Sequence, residues 1–180
     1  MLKPTCITAA TGAAALVAGV LAVTAAPADA ATGAFVIHLV EIQTKSSDNI
    51  GNNAPVAGTS YFAFESNLLQ RQKQKDGTFK LVKVGTDNGK CIFKKVDGPT
   101  SKPTGGTVRC QVNLVFDSGT MRVVGRVHID FQNMSQPFTV PVRSGTGRFA
   151  GAHGTLKNRE VSDTKAKLTI TLPGFKDPGA

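Results

Sequence analysis

Beyond residue 30, no stretch of this chain repeats every 3.6 residues, whereas short runs that alternate by two between apolar and polar recur along its length. Period two belongs to strands, whose side chains point to opposite faces in turn. Eight runs are expected, at 34–44, 59–69, 79–96 (with an internal break), 107–116, 120–131, 137–144, 149–161 and 165–172. Asp76-Gly77, Asn88-Gly89, Asp97-Gly98 and Ser118-Gly119 tolerate positive φ and supply turn or bulge chemistry.

The fourth and fifth runs show two faces most clearly. Val108, Cys110, Val112, Leu114 and Phe116 form one file, against Arg109, Gln111 and Asn113; Met121, Val123, Val127, Ile129 and Phe131 repeat it, against Arg122, Arg126, His128 and Asp130. Many antiparallel strands with one apolar face and no covering helix must close on themselves to bury that face and hide their edges. The expectation is an all-β chain, an eight-stranded antiparallel β-barrel.

Residues 1–30 read as a secretory signal peptide: Lys3, then the apolar "AAALVAGVLAVTAA", then Ala28-Asp29-Ala30 as a small-x-small cleavage site. The apolar run is short for a membrane span, which makes an uncleaved anchor the minor reading. Residues 31–180 then form a single domain, secreted and extracellular, with no membrane span after cleavage. Of the three cysteines, Cys6 leaves with the leader; Cys91 and Cys110 remain. The midpoint of the segment between them falls at Thr100-Ser101, so a symmetric hairpin sets the two side by side and a disulfide is expected. A free thiol at Cys91 is the alternative.

The net charge of +9 draws an exported domain toward anionic surface polymers, although the basic residues are scattered enough to read as a solvated surface. With no Trp and one Tyr, the chain lacks the stacking rings of a single-strand reader, and no specific nucleic acid is expected.

Gly145-Thr-Gly147-Arg-Phe-Ala150 matches a dinucleotide loop letter for letter. Such a loop needs a helix after it and a further parallel strand. Here "TLKNREVSDTKAKLTITL" follows, which alternates as strands do. The match is accidental, and the glycines serve tight turns and close strand approach at a barrel corner.

The same segment, Ser144 to Gly154, resembles the G-G-[TS]-G-x-F-x-x-x-x-G signature of the allene oxide cyclase and dirigent barrels. Three further stretches follow in the family's order: "VEIQ" (40–43) is similar to Y-E-I-N, "FESNLL" (64–69) to F-T-N-K-L-Y, and "VGTDNGKC" (84–91) to V-G-x-x-x-G-x-C. The resemblance spans most of residues 34–172. It implies a calycin-type barrel, often a homotrimer, that restrains a reactive apolar substrate in one conformation. Position by position, it makes Glu41 the carboxylate facing developing positive charge, Gln43 its amide neighbour, and Ser66 the counterpart of a second-strand Asn. Asn49 falls in the loop segment, Cys91 at the pocket cysteine, and His153 where dirigents carry an Arg.

Alternation supports that placement independently. Glu41 and Gln43 continue the Phe35, Ile37, Leu39 file, and Ser66 lies on the Phe62, Phe64, Leu68 file. Polar groups ending an apolar inward file suit a pocket mouth; the opposing reading has Glu41 emerge into water. Catalytic candidates are therefore Glu41 and Gln43, and ligand-binding candidates Asn49, Phe64, Ser66, Cys91 and His153. His38, His128 and His153 share no metal-ligand spacing, so no metal is expected, and no cofactor. The leading functional expectation is a secreted barrel that binds a hydrophobic small molecule in its lumen and, if catalytic, promotes its cyclisation or isomerisation. The alternatives are a non-catalytic ligand carrier and a cell-surface interaction barrel.

Overall fold

The structure is a computed structural model that describes residues 33–178; the expected signal peptide lies outside them. Eight strands follow in chain order: β1 (Ala34–Asp48), β2 (Tyr61–Lys73), β3 (Phe79–Asp97), β4 (Gly105–Phe116), β5 (Gly119–Asp130), β6 (Phe138–Gly145), β7 (Gly154–Ser162) and β8 (Lys165–Pro173). Each pairs antiparallel with the next and β8 returns to β1, closing the expected all-β barrel. Antiparallel order fixes two ends. The β1–β2, β3–β4, β5–β6 and β7–β8 connections share the upper end; the other connections, with Gly33 and the segment after β8, share the lower one.

The inward files are those read from alternation. Val108, Leu114, Met121, Val123, Leu168, Ile170 and Leu172 are buried in the lumen, while Arg109, Gln111, Arg122 and Arg126 are exposed on the outside. Rings close both ends of this core. Phe62, Phe93 and Phe131 meet above, edge to face; Phe35, Phe116, Phe149 and Phe175 meet below.

Where observed elements differ from the expected ones, the causes are local. β1 and β2 outrun their expected ends because Lys45–Asp48 pairs only with β2, and Gln70–Lys73 only with β3. These ribbons project past the tube with water on both faces, which erases the alternation that marks a strand. The expected break in the third strand is absent: Asn88-Gly89 makes no turn, because Gly89 sits in the ladder opposite Phe64 and yields its side-chain space to the Phe64 ring. Residues 149–153 are not strand either. Gly147 at φ +58° starts a single 3₁₀ turn over Gly147–Phe149, which swings Phe149 inward as part of the lower plug. The glycines of the Ser144–Gly154 segment serve this corner: a side chain on Gly145 or Gly154 would collide with a backbone carbonyl oxygen, of Phe149 and Thr171 respectively.

Cys91 and Cys110 face each other across β3 and β4 and form the expected disulfide, with Cα atoms 4.0 Å apart.

Candidate functional site

The lumen carries a polar cluster in an otherwise apolar interior, running from Glu160 and Glu41 down to Asp87, which faces Leu114 across the β3–β4 ladder. Ser66, 2% exposed, donates from Oγ to Glu41 Oε1 at 2.9 Å. Asp87, 3% exposed, stands directly opposite Ser66 in the β2–β3 ladder. Glu41 lines up with Ala166 on β8, and Ala166 with Glu160 on β7, so one small side chain separates two carboxyls. Asn158 lies one inward position below Glu160, opposite Leu168.

Burial decides the protonation of this cluster. Removing Glu41 from water raises its pKa from 4.5 to about 7; the Asp87 charge adds to the rise, the Ser66 hydrogen bond opposes it, and Glu160 adds a smaller push. Burial likewise lifts Asp87 from 3.8 to about 6, against Ser66, whose hydroxyl and backbone N–H favour the carboxylate. Glu160, exposed at the rim, is raised by partial desolvation first and by Asp163 second. Ser66 lies between the two carboxyls, and the Asp87 charge raises Glu41, so the two titrate as an interacting pair with both pKa values above the ordinary carboxyl range. Two acceptors in the cluster have no hydrogen-bond partner, Asp87 Oδ1 and Asn158 Oδ1. Buried oxygens are rarely left so, and a donor brought in from outside would complete them.

Of the sequence-derived candidates, Glu41 and Ser66 are brought together, with Gln43 opposite Ser66 in the β1–β2 ladder. Phe64 lies on the same face, its ring over Gly89. Cys91 is on the lumen side but its sulfur is taken by Cys110, so the free-thiol alternative does not apply. Asn49 is elsewhere: its amide braces the β1–β2 connection, donating to Thr59 O at 3.0 Å and accepting from Tyr61 N at 2.8 Å. His153 is exposed and precedes β7 at the lower end, whereas Glu160, near Glu41, lies at the upper end of that strand.

Asp87, Asn158 and Glu160 escaped the sequence reading. Asp87 stands in "TDNG", whose composition suggests a turn. Counting back by twos from Cys91 would have put it on the inner face, and the same count from Leu156 finds Asn158 and Glu160.

The shortest ladder in the wall is the one between β5 and β6. Their ladder has three register positions, against twelve between β4 and β5. Pro141, with no amide proton to give, sits in β6 where that pairing has stopped.

No family model matches the sequence, and no curated protein matches it. Among solved structures, the barrel is similar to a pyocyanin demethylase, at TM-score 0.52 and 21% identity over 76% of this chain and 99% of that one. It is similar to AbnU, described as an exo-specific intermolecular Diels–Alderase, at TM-score 0.55 and 16% identity over 78% and 98%. A third is described as a nonspecific heme-binding cyclase that catalyses [4 + 2] cycloaddition, at TM-score 0.54 and 16% identity over 81% and 69%. This chain has the fold of the cyclase barrels. At these identities the likeness concerns the fold, and the barrel's chemistry has to be argued from its own lumen.

Proposed function

We propose that this protein is a small-molecule barrel in which the Glu41–Ser66–Asp87 cluster meets one polar atom of an otherwise apolar ligand and promotes its cyclisation or isomerisation. The observation that carries the reading is the placement of half-buried Glu41 and buried Asp87 on either side of Ser66, which bonds Glu41 and faces Asp87 while Asp87 Oδ1 is left without a donor. A structural core has little use for such a pair, since burying a carboxyl without full compensation costs stability.

In this reading Glu41 is a proton donor rather than the carboxylate facing positive charge that the resemblance implies. Protonated, it lends its proton to a ligand oxygen as negative charge builds there, and the proton returns after ring closure. No electron and no net proton enters or leaves, so the product is an isomer of the substrate. Positioned acid catalysis of this kind is worth roughly 10²–10⁴-fold, and the surrounding Leu68, Leu114, Met121 and Leu168 side chains restrain the ligand's conformation. The three-pair β5–β6 seam is the entry this reading favours. Export to the extracellular space, from the leader composition, is part of the same proposal; an allene oxide is one candidate substrate, by resemblance.

Native mass spectrometry of protein purified from its own culture medium tests it. The expected spectrum contains an apolar co-purified molecule that Glu41→Gln retains and no longer converts. A chain that carries the molecule without altering it is a carrier. A chain that emerges empty and stays unlabelled by apolar photoprobes has a solid core.

A further inference from the structure

Two grooves on the outer wall meet at Arg109. One, of about 660 Å³, runs over β2, β3 and β4 beside the end of β1; the other, of about 470 Å³, runs over β4, β5 and β6. The second is lined by four arginines, Arg109, Arg122, Arg126 and Arg143, with no carboxylate among its lining residues. The first continues the basic band through Lys90 and Lys94, and its one carboxylate, Glu65, is held by Lys45 at 2.8 Å.

The arginines are arranged rather than scattered. Arg109 and Arg126 are direct cross-strand neighbours on β4 and β5, as Arg159 and Lys167 are on β7 and β8, but only the first pair lies in a groove with two further arginines and no carboxylate. Arg122 is fixed by donation from Nη2 to Gln111 Oε1 at 2.9 Å, and Arg143 Nε reaches Val124 O at 3.4 Å. From Arg122 to Arg126 the strand advances about 13 Å, more than a single oxyanion spans. Planar guanidinium forks suit carboxylate and sulfate groups in two-point contact. No ring lines the β4–β6 groove for bases to stack on.

We infer that this band is a docking track for an acidic polysaccharide, a chain presenting carboxylate or sulfate groups at intervals along β4 to β6. The inference is independent of the lumen and stands or falls separately from it.

Binding of heparin (sulfate-bearing) and polygalacturonate (carboxylate-bearing) tests it, with dextran as the uncharged control. The variant R109Q/R122Q/R126Q is compared with K157Q/R159Q/K167Q, which removes three exposed cations from β7 and β8, outside both grooves. The expected result is affinity about tenfold weaker or more, with a shallower salt dependence, for the first variant and a change within about twofold for the second. Equal losses in the two variants would reduce the attraction to net charge and overturn the inference. So would single-stranded DNA binding as tightly as heparin with the same losses, or a change in sedimentation of the free protein on substituting the arginines. If the triple variant does not fold, R122Q and R126Q singly give the same comparison against K157Q and K167Q.

Discussion

The Ser66 hydroxyl donates to Glu41 Oε1 over 2.9 Å while Ser66 also faces Asp87 across the β2–β3 ladder, so one small side chain mediates between a half-buried acid and a buried one. Both acids have folded-state pKa values raised above their ordinary ones, Glu41 to about 7 and Asp87 to about 6. Between about pH 4.5 and 7 the folded chain therefore binds more protons than the unfolded chain, and stability falls as pH rises through that window. Denaturant unfolding at half-unit steps should show a loss of about 4 kcal/mol from pH 5 to pH 8, the larger share from Glu41. Glu41→Gln, neutral at every pH, should flatten most of that slope and be the more stable protein at pH 8. A slope that survives in both Glu41→Gln and Asp87→Asn would place its origin elsewhere.

Ser66→Ala separates the hydrogen bond from burial. The bond holds the Glu41 pKa down against desolvation, so its removal should move the Glu41 titration above about 7. The substitution should cost about 1–2 kcal/mol at pH 8, where the carboxylate loses its donor. Carboxyl carbon shifts followed by NMR against pH read the first effect, and unfolding at pH 8 reads the second. A downward move of the Glu41 midpoint would contradict the interacting-pair arrangement.

Much of the fold was legible because the barrel writes its inner face in every second residue. Val108 to Phe116 and Met121 to Phe131 could be assigned to the lumen side from alternation alone, and Cys91 could be matched with Cys110 by hairpin symmetry. Legibility failed where two faces see the same surroundings, as in the projecting Gln70–Lys73 ribbon. It failed again where a residue's local grammar contradicts its place. Asn88-Gly89 has turn composition but lies in the middle of β3, because the Phe64 ring from the neighbouring strand occupies the space beside it. That override is tertiary and leaves no mark within a local window. Asp87 was hidden by the same three letters. Glu41 and Ser66 were visible as polar interruptions of apolar files; their partner in the site was not.

The Phe64–Gly89 contact is open to direct perturbation. A methyl group on Gly89 would meet the Phe64 ring well inside van der Waals range. Gly89→Ala should cost about 1–3 kcal/mol through overpacking. Phe64→Leu in the same chain should recover part of that loss, since a smaller side chain frees the space. Thermal unfolding of the four members of the cycle gives the coupling, and additive losses would show that the ring has room to move aside.

The disulfide closes a segment of sequence separation 19 at the upper end of β3 and β4. Confining the unfolded chain at that spacing contributes about 3 kcal/mol. Cys91→Ala/Cys110→Ala should lower stability by about that amount and keep the barrel, whose β3–β4 ladder runs well beyond the bridge on both sides. Urea unfolding with and without reductant measures the loss. Native protein that yields two alkylatable thiols without reduction would refute the bridge.

The lower end is closed by a segment outside the sheet. After β8 the chain turns back so that the Phe175 ring lies 5.6 Å from Phe35 and 6.4 Å from Phe149, centroid to centroid. Two residues later Asp177 pairs with Arg148, beside Phe149 in the 3₁₀ turn. Arg148 Nε and Nη2 both donate to the Asp177 carboxylate, which is 7% exposed, and this two-point contact holds the segment where Phe175 covers the plug. Phe175→Ala should therefore cost about 2 kcal/mol, below the range for a wholly enclosed ring because this one is half-buried. Asp177→Asn, which keeps one acceptor for the Arg148 fork, should cost about 1–2 kcal/mol. Hydrogen exchange should rise at Phe35 and Phe149 in the Phe175 variant and stay unchanged at Glu41 and Ser66, which lie well above the plug on β1 and β2. Faster exchange at Ser66 as well would mean that the lower plug and the acid pair open as one unit.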